Sequence, residues 1–264
     1  MSPEADSTSR SSSSRSMRAL RDVRLRQARR AASLHLEARA GLRDAVPGSG
    51  GRRQDPGTLA TLNVLLALAL LVLTAPLMAV VALLIRLTSR GPVLFAQERV
   101  GLDRRAGILT HGERRRTDIG GRPVRIYKFR TMYFDGSPTH QVWTKPNDDR
   151  VTPVGRVLRS YRIDELPQLF NVLRREMNVV GPRPEQPQIF ARLRQRHARF
   201  PVRQKVLPGI TGLAQVKCGY GGDDFQIRRK LEFDLEYVER RDLKLDLEIL
   251  LRTVPVVLLK RGAR

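Results

Sequence analysis

The feature that most constrains this chain is an apolar run that carries no charged residue from Leu59 to Ile85. As a helix, the run would extend ~40 Å at about 1.5 Å per residue, which exceeds the roughly 30 Å hydrocarbon core of a bilayer. A buried helix in a water-soluble domain rarely needs so long an uninterrupted apolar surface. The sequence therefore predicts a membrane-inserted helix within residues 59–90.

Two observations bear on how this helix enters the bilayer. Pro76 lies near its middle, where proline removes a backbone donor and bends a helix. Arginines flank both ends, with Arg52 and Arg53 before the run and Arg86 and Arg90 after it. Because basic residues favour the cytoplasmic side, a bent helix that returns to the same face satisfies both ends. A spanning helix with a tolerated proline is the alternative, and this pattern leaves both open.

The rest of the chain divides into a basic arm and one domain. Residues 1–58 are rich in Ser, Arg and Ala and end in a glycine-rich stretch, which is typical of a mostly disordered arm. Residues 91–264 read as a cytosolic α/β domain, rich in helix with little strand. Its predicted strands are 93–96 and 124–129, and its predicted helices are 166–176, 187–200, 224–240 and 246–259, the last on the membrane surface.

The formal net charge of +23 requires polyanionic partners. Nucleic acid, anionic lipid and phosphorylated substrates all meet that requirement. Aromatic residues make up only 5% of the chain and are not interleaved with the basic ones, so base-stacking platforms are poorly supported. We therefore expect no nucleic acid partner. A basic, membrane-tethered nucleic-acid-binding or scaffold protein without catalysis is the alternative function.

The adjacent acids Asp164 and Glu165 are the most informative polar pair. They stand just before an apolar-periodic segment, with Pro167 in its first turn. Acids at helix starts are common caps, and most of them do no chemistry. Here, however, basic residues accumulate around the pair, namely Arg156, Arg159, Arg162, Arg174 and Arg175. Two acids among arginines suit a site that holds a metal ion and a polyphosphate together.

Three further basic residues occur in sequence contexts that favour phosphate binding. Lys128 and Arg130 are alternate residues at the end of a predicted strand, which places them on the same side. Arg183 stands between two prolines, and the rigid backbone on both sides pre-organises its guanidinium. A charged edge strand and an ordinary loop are the alternative interpretations.

Several motifs, taken in order along the chain, carry a family resemblance. They are Gln97 to Gly101, Lys128 to Met132, Asp164 to Leu169, Gly181 to Pro184, and Pro208 to Val216. This ordered set resembles the bacterial sugar transferase family, the monotopic phosphoglycosyl transferases. The resemblance covers roughly residues 62–259, which is most of the chain.

The resemblance implies a membrane arrangement and a set of site residues. In the family the apolar helix is re-entrant and breaks at a Ser-Pro pair, which corresponds to Ala75 and Pro76 here. The family's nucleophilic aspartate corresponds to Asp164. Its glutamate, which helps to hold Mg²⁺, corresponds to Glu165. Active-site cations of the family correspond to Lys128, Arg159 and Arg183, and Arg130 is the further phosphate-binding residue that we predict.

The resemblance also implies the reaction and its location. The chain is expected to move a sugar 1-phosphate from a UDP-sugar to undecaprenyl phosphate through a phosphosugar-aspartate intermediate, with release of UMP. This would be the first membrane step of exopolysaccharide or glycoconjugate assembly, on the cytoplasmic side of the bacterial inner membrane. The excess positive charge suits the anionic cytoplasmic leaflet. The identity of the sugar and the existence of a homo-oligomer are left open.

Overall fold

The computed structural model of the chain describes residues 56–103, 120–134, 148–218 and 224–260. The predicted basic arm lies outside the described residues, except for residues 56–58. The α-helices are α1 (Pro56–Thr88), α2 (Pro153–Ser160), α3 (Leu169–Leu173), α4 (Pro187–Arg196), α5 (Leu213–Lys217), α6 (Asp224–Arg240) and α7 (Leu243–Leu258). Two 3₁₀ helices cover Ile163–Gln168 and Phe200–Lys205. The strands are β1 (Leu94–Val100), β2 (Pro123–Phe129), β3 (Asn178–Val180) and β4 (Gly209–Thr211).

The strands of the described residues form two separate two-stranded sheets. Strands β1 and β2 are antiparallel, with Arg99 opposite Val124. Strands β3 and β4 are parallel, with Val180 opposite Thr211. The predicted helix-rich fold with little strand is therefore confirmed. Strand β2 contains the predicted strand 124–129, and β1 overlaps the predicted strand 93–96 but begins at Leu94 and continues to Val100.

Helix α1 packs on the domain with one side and exposes the other. Leu59 and Ala67 are buried in its first half, and Val81 and Ile85 are buried in its second half. These positions are separated by roughly whole helical turns, so they share one face. The opposite side exposes large apolar residues, namely Leu62, Leu65, Leu68, Val72, Leu73, Leu77, Val80, Leu83, Leu84 and Leu87. Among the described residues, α1 is the one helix long and apolar enough to cross a membrane.

Both halves of α1 contact the same domain. Ala67 belongs to a core cluster with Ile126 of β2 and Val172 of α3. Ile85 belongs to another cluster, with Phe129 at the end of β2. Because the domain is covalently connected to the C-terminal end of α1 and also covers its N-terminal half, both ends of α1 lie at the domain surface.

The predicted helix break at Ala75 and Pro76 falls inside α1, which continues from Pro56 to Thr88 without ending there. The Thr74 hydroxyl donates a hydrogen bond to the Leu70 carbonyl at 2.7 Å. Such a bond to the preceding turn often accompanies a bend in a helix. A change of direction at this pair stays a prediction.

One buried amide attaches α1 to strand β3. The Asn63 side chain is 8% exposed, and its Oδ1 accepts a hydrogen bond from the Val179 N–H of β3 at 2.9 Å. Its Nδ2 donates to the Leu59 carbonyl at 2.8 Å. The Asn63 side chain thus accepts from an N–H group at the edge of β3. This explains why a polar residue occurs within the apolar run of α1.

Helices α6 and α7 complete the domain. Tyr237 of α6 is buried against Leu245 and Ile249 of α7. The opposite side of α7 exposes an apolar stripe at helical spacing, formed by Leu243, Leu247, Leu251, Val254 and Leu258. The predicted membrane-surface helix over 246–259 corresponds to α7, and this stripe is the surface that would face lipid.

Candidate active site

Asp164 and Glu165 lie in the first turn of the 3₁₀ helix Ile163–Gln168, which we call the dyad helix. Arg162, just before it, adopts the left-handed conformation with φ 55° and turns the chain out of α2. A non-glycine residue in this region is uncommon. The sequence predicted the acids immediately before an α-helix, whereas α3 begins only at Leu169. The dyad therefore belongs to a separate, tighter turn.

Helix α2 is fixed against the chain that leaves β2. The Thr152 N–H donates to the Thr131 carbonyl at 3.0 Å, and the Thr152 hydroxyl caps the helix by accepting from the Gly155 N–H at 2.9 Å. A Cβ on Gly155 would lie 2.1 Å from the Thr131 carbonyl oxygen, so the close approach requires glycine. From this helix, Arg159 donates through Nε to the Thr131 hydroxyl at 2.8 Å. Its charge lies close enough to Asp164 to lower the pKa of that carboxyl.

Two cations bind the Glu165 carboxylate directly. The Lys128 Nζ at the end of β2 lies 2.7 Å from Oε1, and the Arg183 Nη2 lies 2.8 Å from the same oxygen. Arg183 also reaches Oε2 through Nη1 at 3.4 Å. Burial alone would raise the pKa of Glu165, but Arg183 and Lys128 outweigh it and hold this pKa well below its usual range. Glu165 therefore stays ionised.

Asp164 has a different environment from its neighbour. Its side chain is buried, and no ion pair among the described residues joins its carboxylate. Burial, together with the adjacent negative charge of Glu165, raises the pKa of Asp164 to about 6. Lys128, Arg159 and Arg183 oppose this shift from a distance. Asp164 is thus an ionised but comparatively basic carboxylate at neutral pH, which is what a nucleophile requires.

The structure brings together five of the predicted site residues and separates a sixth. Lys128, Arg159 and Arg183 surround the dyad. Arg130 does not join them, because its guanidinium caps the C-terminal end of α1 instead. It donates to the Arg90 carbonyl at 2.7 Å and to the Ser89 carbonyl and hydroxyl at 2.8 Å each. The expectation that Lys128 and Arg130 lie on the same side therefore needs correction, because Arg130 connects the apolar helix to the end of β2; a phosphate-binding role for Arg130 stays a prediction.

Arg99 is a residue near the site to which the sequence assigned no role. It lies on β1, donates to the Pro184 carbonyl at 3.3 Å, and contacts the Gln97 side chain. Burial, and next the neighbouring charge of Arg183, lower the pKa of Arg99. Its position within the Gln97 to Gly101 motif was the one feature of the sequence that could have indicated a role. Its contact with the loop of Arg183 depends on the fold and is not visible in the sequence.

The predicted Mg²⁺ needs oxygen ligands, and Glu165 is the carboxylate that was predicted to hold it. The described residues contain no group of three or more Asp, Glu, His or Cys side chains that could hold a metal ion. Mg²⁺ commonly binds one or two carboxylates and completes its octahedron with substrate phosphates and water. Oε1 of Glu165 takes both close ion pairs, whereas among the described residues Oε2 is contacted by Arg183 alone, at 3.4 Å. The site therefore fits Mg²⁺ through one Glu165 oxygen, provided that a diphosphate supplies further ligands.

Comparison with known proteins connects this geometry to a family. The family sequence model described as "Bacterial sugar transferase" matches residues 58–260. This range contains the dyad, all of the cations described above and helix α1 except for its first two residues.

Several curated relatives are similar to most of this chain. The UDP-N-acetylgalactosamine-undecaprenyl-phosphate N-acetylgalactosaminephosphotransferase of Aeromonas hydrophila is 39% identical over 203 residues, which cover 77% of this chain and 44% of the relative. The UDP-glucose:undecaprenyl-phosphate glucose-1-phosphate transferase of Caulobacter vibrioides is 41% identical over 199 residues, with coverage of 75% and 68%. The exopolysaccharide production protein ExoY of Sinorhizobium fredii is 33% identical over 216 residues, with coverage of 76% and 85%. The chain spans less than half the length of the Aeromonas relative.

Proposed function

The chain belongs to the bacterial sugar transferase family, and we propose that it transfers a sugar 1-phosphate from a UDP-sugar to undecaprenyl phosphate. The observation that carries the proposal is the asymmetry of the dyad. Asp164 is buried and has no ion pair within the part of the chain that the structure describes, whereas Lys128 and Arg183 neutralise Glu165 beside it. The names of the Aeromonas and Caulobacter relatives support the choice of donor and acceptor.

In the first half of the proposed reaction, Asp164 displaces UMP. A carboxylate oxygen forms a bond to the phosphorus that carries the sugar, and the bond from that phosphorus to the bridging diphosphate oxygen breaks. UMP leaves with the electron pair, and a phosphosugar ester of Asp164 remains. A carboxylate is a weak nucleophile but a good leaving group, so it can divide one displacement into two.

In the second half, the lipid takes the phosphosugar. A phosphate oxygen of undecaprenyl phosphate bonds to the same phosphorus, and the Asp164 oxygen leaves with its electron pair. The product is an undecaprenyl diphosphate sugar, and the Asp164 carboxylate is regenerated. No general base is needed, because the lipid phosphate is itself an anion at neutral pH.

The surrounding cations address the main electrostatic difficulty of this reaction. An anionic carboxylate must approach an anionic diphosphate, and their repulsion raises the barrier unless positive charge is already in place. Lys128, Arg159 and Arg183 lie around Asp164, and Thr131 and Glu165 orient them. Because these groups are held before substrate arrives, they need little reorganisation during the reaction.

Mg²⁺ is part of the proposal. When bound, it would supply Lewis-acid stabilisation of the charge on the diphosphate. Glu165 would hold it through Oε2, while Lys128 and Arg183 remain on Oε1. Removal of Mg²⁺ with a chelator should then abolish UMP release reversibly.

The membrane arrangement follows from two exposed apolar surfaces, the outer side of α1 and the stripe of α7. Both ends of α1 lie at the domain surface, which favours a helix that enters and leaves one leaflet. We therefore include the re-entrant arrangement, with its change of direction at Ala75 and Pro76. Basic residues at both ends of the apolar run favour the cytoplasmic face of the inner membrane and its anionic leaflet.

The decisive experiment measures UMP release by protein purified in nanodiscs. UDP-glucose, UDP-galactose and their N-acetylated counterparts are supplied one at a time with Mg²⁺ and undecaprenyl phosphate. The proposal expects release with at least one sugar, with formation of the lipid diphosphate sugar, and no release by the Asp164→Asn variant. A folded protein that forms no lipid-linked product from any UDP-sugar, or an Asp164→Asn variant of near-normal rate, would contradict it.

A further inference from the structure

The loop that carries Arg183 is held at four successive carbonyl groups. The Pro182 carbonyl accepts from the Gly209 N–H at 3.0 Å, and the Glu185 carbonyl accepts from the Val100 N–H at 2.9 Å. Between them, the Arg183 and Pro184 carbonyls accept from arginine side chains, at 2.8 Å and 3.3 Å respectively. Those two donors are the guanidinium groups of Arg203 and Arg99.

Arg203 is the more deeply buried of the two donors. Its side chain is 4% exposed, and its Nη2 lies 2.6 Å from a carboxylate oxygen of Asp234, which is 5% exposed. The same Nη2 donates to the Arg183 carbonyl. The guanidinium also lies over the Phe200 ring, 4.8 Å from its centroid, and 3.5 Å from Glu185. Every one of these partners restricts the position of the Arg203 side chain.

Stability alone does not account for this buried pair. Apolar residues of similar volume often replace a buried ion pair without loss of stability, because removing two charges from water costs as much as their attraction returns. The orientation of the pair is more informative. Arg203 transmits the fixed position of α6, through Asp234, to the main chain of Arg183, whose side chain binds Glu165.

We propose that Arg203, held by Asp234, is a positioning residue that fixes Arg183 against Glu165 for the transfer reaction. The proposal rests on the function proposed above. It places Arg203 outside direct contact with the substrate. Loss of this support lets the Arg183 loop move, and small displacements of a positioning group lower the rate of reaction more than the affinity for substrate.

The test uses the double variant R203M/D234L in the full chain, because removing one partner alone would leave the other charge buried. The expected result is a protein with a melting temperature near that of the wild type and a kcat that falls at least ~10-fold. Its KM for the UDP-sugar should change by less than about 3-fold, since ground-state binding is largely kept. The conservative R203K variant, which keeps the charge but not the forked geometry, should be intermediate.

A matched control comes from the same helix. Leu231 of α6 is buried in the cluster that contains Phe200, and its apolar side chain has no hydrogen-bond donor for the Arg183 carbonyl. The Leu231→Ala variant should lower the melting temperature while the kcat of the folded protein stays near the wild-type value. If Leu231→Ala lowers kcat as much as R203M/D234L does, or if R203M/D234L keeps the wild-type kcat, the positioning role is wrong.

A second readout separates this proposal from the proposed function. Amide hydrogen exchange at residues 181–185 should become faster in R203M/D234L but not in Leu231→Ala, whether or not the protein turns over substrate. A wild-type protein without UMP release would overturn the transfer reaction. Unchanged exchange in R203M/D234L would overturn the support by Arg203.

Discussion

Two buried carboxylates that pair with an arginine, Glu165 of the dyad helix and Asp234 of helix α6, lie in different surroundings. Asp234 and Arg203 are 5% and 4% exposed, and the pair is closed to solvent. Glu165 is equally buried, but its cations, Lys128 and Arg183, are 19% and 33% exposed. A second carboxylate, Asp164, lies beside Glu165 and shares its cations only at a distance.

The two regions differ in how their charges are balanced. This difference indicates that one region supports the structure and the other is suited to the reaction. At Asp234, the Arg203 guanidinium pairs with the Asp234 carboxylate, lies 3.5 Å from Glu185, and donates through Nη2 to a backbone carbonyl. At the dyad, three cations face two carboxylates, so positive charge remains for an arriving anion. The first region fixes a loop, and the second is organised for a ligand that is not part of the chain.

The largest effect is expected from Asp164→Asn, which removes the proposed nucleophile but keeps its shape. UMP release should fall at least ~1,000-fold, as it does when a covalent nucleophile is lost. The melting temperature and the membrane association should stay at wild-type values or increase slightly, because the variant removes a buried charge. If the variant retains a tenth of the wild-type rate, Asp164 is not the nucleophile and does not differ from an ordinary buried acid.

The next effect is expected from Glu165→Gln, which leaves Lys128 and Arg183 without their shared carboxylate. The rate should fall roughly 100-fold, because the cations lose their orientation. The free energy of unfolding should fall by only about 1–2 kcal/mol, since both cations are partly exposed to solvent. Glu232 of α6 is exposed, and Glu232→Gln should change neither quantity, which makes it the matched control.

A smaller, graded effect is expected from pH. Burial raises the pKa of Asp164 to about 6, and only the ionised form can attack phosphorus. The rate should therefore fall about tenfold per unit as the pH decreases below about 6. A rate that is constant down to pH 4.5 would contradict the assigned environment of Asp164.

Stability should not follow the rate over this pH range. A carboxyl whose pKa is raised by folding favours the folded state when it is protonated, so its contribution is present at low pH and is lost as the pH rises through about 6. This holds for Asp164 and for Asp234, whose pKa burial also raises to about 6. The pKa of Glu165 lies well below its usual range, so its contribution is lost only in stronger acid. When the pH is lowered from 7 to 5, thermal unfolding should therefore show no decrease in stability from these groups, and Asp164 and Asp234 should contribute a small increase.

The smallest effect on rate is expected at Asn63, whose side chain bonds to Leu59 and Val179 rather than to the dyad. Asn63→Ala leaves the Val179 N–H buried without its acceptor, which should lower the free energy of unfolding by about 1–3 kcal/mol. The kcat of the folded protein should remain within a factor of about two. Thermal unfolding and UMP release measured on one preparation check both expectations, and a large loss of kcat would place α1 within the catalytic machinery.

Long, strongly patterned elements could be predicted from the sequence. The uncharged run gave α1, and the alternation near residues 124–129 gave β2. Strands β3 and β4 have three residues each, which is too short for a period of two to be recognised. They exist because residues distant in sequence pair in parallel, with Asn178 opposite Gly209.

The candidate site shows the same limit at individual residues. The alternation that placed Arg130 beside Lys128 holds only within a strand, and β2 ends at Phe129. Arg130 lies beyond that end, so its direction is set by the unpaired carbonyls at the end of α1. Arg203 and Asp234 were missed for another reason: their pairing depends on tertiary packing between separate helices, which no local motif records.

If the phosphosugar passes through Asp164, it should stay on the protein when no acceptor is present. The mass of the protein is therefore measured after incubation with Mg²⁺ and its UDP-sugar without undecaprenyl phosphate. The account predicts release of at most one UMP per protein and an added sugar phosphate on the peptide that contains Asp164. Addition of undecaprenyl phosphate should then remove the added mass. UMP release that occurs only when the lipid is present, with Asp164 unmodified throughout, would indicate direct transfer and contradict the account.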